Sequence, residues 1–209
     1  MEHFVIAITR TCGSGATTIS NMLADEYQIA LYDRKLLQMA SEDSGIDEAL
    51  FYNADEAVKN TILYRVSKKI YNGELIPPES DNFTSDINLF NYQAKVLKEL
   101  AQIQSYIVIG RCGDHILKDT KNMISIFLTA DEEVCIQHEM ERLVCGRKEA
   151  KRRIAKTNKF RSEYYSYHTG KKWREPENYD LCINTGRLGY KKTVELIKNY
   201  VSFRMENSK

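Results

Sequence analysis

Residues 4–20, FVIAITRTCGSGATTIS, decide how the rest of this chain is read. Phe4 to Thr9 is a short apolar, β-branched run, which predicts a strand. It passes into a turn bearing Gly13 and Gly15, and from Thr17 onward Ile19, Met22, Leu23 and Tyr27 recur at helical spacing. Strand, glycine loop and helix is the order in which a chain wraps a phosphate, because loop N–H groups line a concavity and the helix N-terminus favours negative charge. The general pattern is GxxxxGK[ST], with the lysine reaching the β and γ phosphates and the hydroxyl holding magnesium. Here Gly15 is the second glycine, Arg10 stands at the first, Ala16 replaces the lysine and Thr17 keeps the hydroxyl. The same residues also read as a plain strand-to-helix turn, in which glycine supplies a positive φ and Thr17 or Thr18 caps the helix.

Strands and helices continue to alternate along the chain. Ile29–Tyr32 reads as a second strand, Asp33 stands before a helix that Gly45 ends, and residues 46–71 read as one or two amphipathic helices. Residues 72–86, rich in Gly, Pro, Ser and Asp, form a loop, and residues 88–104 return to helix. Residues 105–110 (SYIVIG) and 124–128 (ISIFL) are continuous apolar strands, the second followed by a helix with acidic residues in its first turn. Residues 179–184 (YDLCIN) read as a last buried strand and 190–204 as a C-terminal helix. This alternation predicts an α/β fold with a parallel sheet covered on both faces.

Ligands of such sheets sit outside the carboxyl ends of the strands. Three charged clusters fall there: residues 10–18 after the first strand, Asp33 to Lys35 after the second, and Arg111 with Asp114 after the third. A fourth concentration lies between Arg147 and Arg174, where eleven Lys or Arg face two Glu, a formal +9 in a chain whose net charge is +1. Charges so crowded repel unless a polyanion or solvent separates them. Aromatics within that tract (Tyr164, Tyr165, Tyr167, Trp173) read as packing onto the core in preference to stacking on nucleic acid.

Other chemistries find no support. The five cysteines are spread without a CxxC, which argues against a disulfide framework or a zinc site and for reduced, mostly buried thiols. The four histidines have no spaced partner for metal or triad work. No apolar run approaches the roughly 20 residues of a membrane span, and the start MEHFVIAIT lacks a basic region and cleavage site, so a cytoplasmic protein is expected.

The segments ITRTCGSGATTISNMLADEY (8–27), ALYDRKLLQMASEDSGI (30–46), IVIGRCGDHIL (107–117), IFLTADEE (126–133), KTNKFRSEYYSYHTGKKW (156–173) and YDLCINTGRLG (179–189) together resemble the cytidylate-kinase-like family, a branch of the P-loop nucleoside-phosphate kinases. The likeness spans nearly the whole chain and is weakest between about 50 and 100. A lysine-free loop preceded by arginine is a trait of that family. An arginine usual after its glycines is Thr17 here, and a more usual aspartate is Asn158.

The resemblance implies a P-loop NTPase-type three-layer α/β/α fold in one domain. Its core is expected at about 1–33, 105–141 and 178–209, a helical acceptor-binding insertion at about 34–104, and a basic lid at about 142–177. It implies phosphoryl transfer from ATP, with Mg2+, to a small acceptor such as CMP. A non-catalytic nucleotide or phosphometabolite binder and a kinase of a non-nucleotide metabolite remain alternatives. Gly13, Ser14, Gly15, Ala16, Thr17 and Thr18 then cradle the donor phosphates, with Thr17 also on magnesium, Arg142 near the donor base, and Arg10 as the cation in place of lysine. Arg161 and Lys159 belong to the lid, whose further cations include Arg147, Arg152, Arg153 and Lys156. Asp33, Lys35, Arg111 and Asp114 face the acceptor. For Asp33 a helix cap, and for Arg111 an ion pair with Asp114, are the structural alternatives.

Overall fold

In β1 (Val5–Arg10) successive side chains leave opposite faces, and both faces are apolar. Val5 and Ala7 enter one core with Val108 and Phe127, whereas Ile6 and Ile8 enter another with Ile107, Ile126 and Leu128. A strand of this kind needs helices on both sides. The computed structural model describes residues 3–33, 35–51, 74–76, 78, 80, 82 and 84–206. After β1 come α1 (Ala16–Tyr27), β2 (Ala30–Tyr32), α2 (Lys35–Ser44), α3 (Asp86–Ile103) and β3 (Tyr106–Ile109). Then follow the short α4 (Gly113–Ile116), β4 (Met123–Thr129), α5 (Glu132–Leu143), α6 (Arg147–Thr169), β5 (Leu181–Asn184), the short α7 (Thr185–Leu188) and α8 (Tyr190–Glu206).

The five strands pair in parallel in the order β2-β3-β1-β4-β5. α1 and α8 cover one face with Ile19, Leu23, Val194, Ile197 and Val201; α2 and α3 cover the other with Leu36, Leu37, Leu89 and Leu97. Each such fully buried side chain is worth about 1.5–3 kcal/mol. A third, smaller cluster joins Cys12 to Cys135 and Ile136 of α5 and to Ala150 and Ile154 of α6. This cluster seats both helices against the loop that follows β1.

The expected α/β architecture is the one observed, and Gly45 ends α2 with a φ of 71°. The last strand differs from its reading. It begins at Leu181, because the Tyr179 hydroxyl donates to the Trp173 carbonyl and the Asp180 carboxylate accepts the Ser125 N–H. It is also incompletely buried, with Cys182 exposed, because β5 forms an edge of the sheet. The helices read at 46–71 fall mostly on residues 52–71, outside the described residues. All five cysteines are free thiols; three are buried, Cys145 is half-buried and Cys182 is exposed. No helix among the described residues is long and apolar enough to cross a membrane.

Candidate active site

The loop between β1 and α1 is held from outside by its carbonyls. The Gly13 carbonyl lies 2.8 Å from His138 Nδ1, which must carry the proton, since a carbonyl only accepts. The Thr185 hydroxyl donates to the Ser14 carbonyl at 2.7 Å, and the Ser14 hydroxyl to the Thr11 carbonyl at 2.9 Å. Gly13 (φ 80°) and Gly15 (φ 73°) lie in the left-handed region, and the Tyr190 ring occupies the space a Cβ on Gly15 would need. Gly15 is the N-cap of α1 and no side chain caps the helix, so the alternative in which Thr17 or Thr18 does so is not observed. Both threonines are exposed. The first-turn N–H groups of α1 are therefore left for a ligand or water, which is the backbone half of an anion site. Ala16 is buried among Ile19, Leu23 and Val194, so the position that holds a lysine in the general pattern is part of the core.

Cations reach this loop from three elements. Arg10, the last residue of β1, lays its guanidinium over Gly110, where a Cβ would overlap Nη1. Arg161 of α6 donates from Nη1 to the Arg10 carbonyl at 3.1 Å. Arg111 follows β3 in a run of left-handed residues, Gly110, Arg111 and Cys112, with φ of 74°, 60° and 53°. Two of those are not glycine, and each such conformation costs on the order of 1 kcal/mol, a strain that typically marks functional turns. The Arg111 guanidinium acts on the Tyr164 hydroxyl and partly offsets the rise that burial imposes on its pKa. Burial, then the fields of Arg161 and Arg111, push the Arg10 guanidinium well below its ordinary pKa, while Asp33 pulls it back up. Burial likewise lowers Arg161. Three guanidiniums thus share the carboxyl end of β1 and β3, with Asp33 acting on Arg10 and Glu139 on Arg161.

The remaining residues named from the sequence lie in different settings. Asp33 is exposed at the end of β2 and Lys35 is exposed at the start of α2. Asp114 is buried, accepts from the Tyr165 hydroxyl at 2.6 Å and from Thr9 at 3.5 Å, and so ties α6 to the core. Burial pushes its carboxyl up, against the pull of the Tyr165 bond. Arg142 makes a two-point pair with Glu139, at 3.0 and 2.7 Å. Lys159 lies on the exposed side of α6, 3.7 Å from Glu163. Arg147, Lys151 and Arg153 pair with Glu133, Glu132 and Glu139 of α5.

Tyr164, Tyr165 and Trp173 are buried; Trp173 meets Phe127 edge-on at 5.5 Å and Tyr164 meets Phe90 at 6.4 Å. These three aromatics therefore pack α6 and the segment after it onto the core. Asn158, on the same side of α6 as Arg161, accepts the Cys12 backbone N–H.

A loop without side-chain capping, cupped by arginines at the carboxyl ends of a five-strand parallel sheet, invites comparison with known proteins. A family model described as "Cytidylate kinase-like family" matches residues 5–187. The chain belongs to the cytidylate kinase-like family. A relative named cytidylate kinase, from Thermosipho melanesiensis (strain DSM 12029 / CIP 104789 / BI429), is 29% identical over 153 residues, 66% of this chain and 69% of that protein. The crystal structure of an uncharacterized protein from Eubacterium ventriosum ATCC 27560 is 26% identical with a TM-score of 0.70, covering 96% of this chain and 99% of that one. Shikimate kinase from Bacteroides thetaiotaomicron shares the fold at 14% identity, with a TM-score of 0.52 over 95% of this chain and 98% of its own.

In this cytidylate kinase-like chain several residues at the site carry no motif that announces them. Glu139 is one: its side chain is 5% exposed, it bonds Arg142, and it faces Arg153 at 3.6 Å and the Cys12 thiol. The one signal for it in the sequence is the i, i+3 spacing to Arg142. His138, unremarkable as sequence, holds the loop between β1 and α1, and Tyr190 lies within 3.3 Å of its ring nitrogens. Tyr164 packs against the core as expected and also engages Arg111.

Proposed function

We propose that this chain transfers the γ-phosphoryl group of ATP to a small acceptor, most simply cytidine monophosphate. The observation that carries the proposal is the gathering of Arg10, Arg111 and Arg161 beside a loop whose helix N-terminus has no side-chain cap. In this transfer an acceptor oxygen bonds to the γ-phosphorus as the bond to ADP breaks, and catalysis is mainly positioning and charge stabilisation. The loop from Gly13 to Thr18 orients the donor phosphates through backbone N–H groups. Arg10 and Arg161 meet the charge that develops on the transferring group, and Arg111 holds the acceptor's anion. Lys159 joins from the lid as α6 adjusts on the donor, Arg142 borders the donor base, and Lys35 lies on the acceptor side, which Asp114 supports from within through its bond to Tyr165. The one-domain division into core, insertion and lid goes with this assignment.

Thr17 and Asp33, both exposed at the same end of the sheet, are donors of the kind that suits Mg2+, which keeps most of its ligands from water and phosphate. When bound, Mg2+ neutralises charge across the phosphates. The relative named cytidylate kinase supports a nucleotide acceptor. The test is an acceptor screen with radiolabelled ATP and Mg2+, followed by Arg111→Ala and Arg161→Ala. Each substitution is expected to lower turnover at least tenfold, about 1.4 kcal/mol. ATP-induced thermal stabilisation with no turnover on any acceptor would favour the non-catalytic binder instead.

A further inference from the structure

Two peptide planes of the loop between β1 and α1 are fixed by side chains from distant parts of the chain. The Gly13–Ser14 plane is held at its carbonyl by His138 Nδ1 at 2.8 Å, and the Ser14–Gly15 plane by the Thr185 hydroxyl at 2.7 Å. Each plane has a glycine on one side, Gly13 before the first and Gly15 after the second, and glycine leaves a backbone easy to rotate. The same glycines let the neighbouring elements come close. The Cα of Cys135 lies 2.8 Å from the point a Cβ on Gly13 would occupy, which brings α5 against the loop and sets His138, one turn on, at the Gly13 carbonyl. On the other side the Tyr190 ring stands in the place of a Cβ on Gly15.

Across a trans peptide bond the carbonyl and the following N–H point in opposite directions. A carbonyl drawn toward His138 therefore turns the Ser14 N–H the other way, and one drawn toward Thr185 does the same for the Gly15 N–H. The Ser14 N–H makes a long bond to the Thr11 carbonyl at 3.4 Å, and the Gly15 N–H has no partner among the described residues. Thr185 is 1% exposed, and its single proton serves the Ser14 carbonyl at 2.7 Å in preference to the Thr129 carbonyl at 3.0 Å. In the neutral ring with Nδ1 protonated, His138 Nε2 is the acceptor, and the Tyr190 hydroxyl lies 3.3 Å from it. Tyr190 thus favours the tautomer that the Gly13 carbonyl needs.

We propose that His138 and Thr185 are positioning residues for phosphate binding: by holding two carbonyls outward they keep the Ser14 and Gly15 N–H groups turned into the loop, where a phosphoanhydride meets them. This rests on the phosphotransfer reading above. The device matters in this chain because Ala16 leaves the loop without its own lysine, so the backbone donors take a larger part of the contact. Were either plane to turn over, a carbonyl oxygen would replace an N–H at the anion, and attraction would become repulsion. Both residues act through the backbone, at one peptide's remove from the ligand.

The experiment measures binding of ADP, inorganic pyrophosphate and CMP to the full chain by calorimetry, beside the steady-state KM for ATP. His138→Ala and Thr185→Val are each expected to weaken ADP and pyrophosphate at least about fivefold and to raise the KM for ATP in proportion, with CMP affinity within about twofold of wild type. His138→Asn, whose side-chain N–H takes the place of Nδ1–H, and Thr185→Ser, which keeps the hydroxyl, should restore most of that affinity. His138→Gln carries its N–H to where Nε2 stands and should not. His138 is half-buried and tolerates replacement, so its series decides by itself, and thermal unfolding checks each variant. Equal rescue by Asn and Gln, or Ala and Val variants that bind ADP and pyrophosphate as tightly as wild type, overturns the positioning role while leaving the kinase reading intact. Loss of ADP and CMP affinity alike, in step with a fallen melting temperature, overturns it too. If wild type binds neither ADP nor pyrophosphate, the phosphate-loop reading fails and this inference falls with it.

Discussion

The side-chain carbonyl of Asn158 accepts the backbone N–H of Cys12 at 2.8 Å, so α6 rests directly on the loop between β1 and α1. Arg161, three residues on, shares that face of α6 and donates to the Arg10 carbonyl. Two hydrogen bonds of opposite sense therefore fix both the position of α6 and its rotation about its own axis. Asn158→Ala removes an acceptor and leaves a partly buried N–H unsatisfied, at a cost of about 1–3 kcal/mol. The expected result is a melting temperature lower by about 2–4 °C per kcal/mol for a chain of this size, together with a higher KM for ATP. Asn158→Asp keeps the acceptor and should keep the melting temperature. A variant Asn158→Ala with unchanged melting and unchanged KM would mean that the contact does not hold the helix.

Gly110 offers a way to move one arginine without mutating it. Its φ of 74° disfavours any Cβ, and a methyl there would overlap the Arg10 guanidinium. The end of a flexible side chain can shift, so Gly110→Ala should fold with a penalty of about 1–2 kcal/mol from the left-handed backbone. Turnover should fall at least about tenfold because Arg10 no longer faces the loop. Normal turnover with a lowered melting temperature would remove Arg10 from the catalytic set.

Much of this arrangement is legible in the order of the residues alone. Apolar runs ending in glycine or arginine announce β1 and β3, and parallel strands bring Arg10 and Arg111 to one end whatever the loops do. The less legible part depends on helix phase and packing. Lys159 and Arg161 stand two positions apart, about 200° around a helix, so both cannot face the loop in one rigid position. Their spacing contains that information. The Asn158 to Cys12 contact does not announce itself, because 146 positions separate the partners and only the docking of α6 joins them. Asp114 follows Arg111 closely in sequence, yet the short α4 turns it inward to Tyr165. The partial exposure of β5 follows from its place at the edge, which strand composition alone does not reveal.

Glu139 joins loop, α5 and α6 through one carboxylate, and its loss should be felt in all three. Burial alone would raise its pKa, but the bonds and charge of Arg142 outweigh that and hold it below the ordinary carboxylate range. A depressed folded-state pKa contributes stability above the unfolded value of roughly 4.3, and that stability is lost as pH falls through the folded value. Glu139→Gln should therefore lower the melting temperature at pH 7 and flatten its decline below about pH 4.5. The KM for ATP should rise as well, because Arg142 and Arg153 lose the anion that orients them. Parallel acid-side melting curves for wild type and variant would show that the carboxylate is not held this way.

His168 predicts a second pH effect, also on the acid side but beginning at a higher pH. Its ring is stacked against Phe90 at 4.0 Å and lies 4.4 Å from Tyr164, and burial holds its pKa down to about 3. The unfolded chain takes up a proton near pH 6.5, while the folded chain refuses it until about pH 3. Between those values the unfolded state binds more protons, so stability is complete above about pH 6.5 and declines as pH falls. From pH 7 to pH 5 this one group should cost about 2 kcal/mol, or roughly 4–8 °C in melting temperature. His168→Phe keeps an aromatic ring against Phe90 and removes the titration, so its melting temperature should fall less over the same interval. If wild type and variant lose stability equally between pH 7 and pH 5, the histidine accepts its proton in the folded state and the aromatic wall beside Arg111 is wetter than its packing implies.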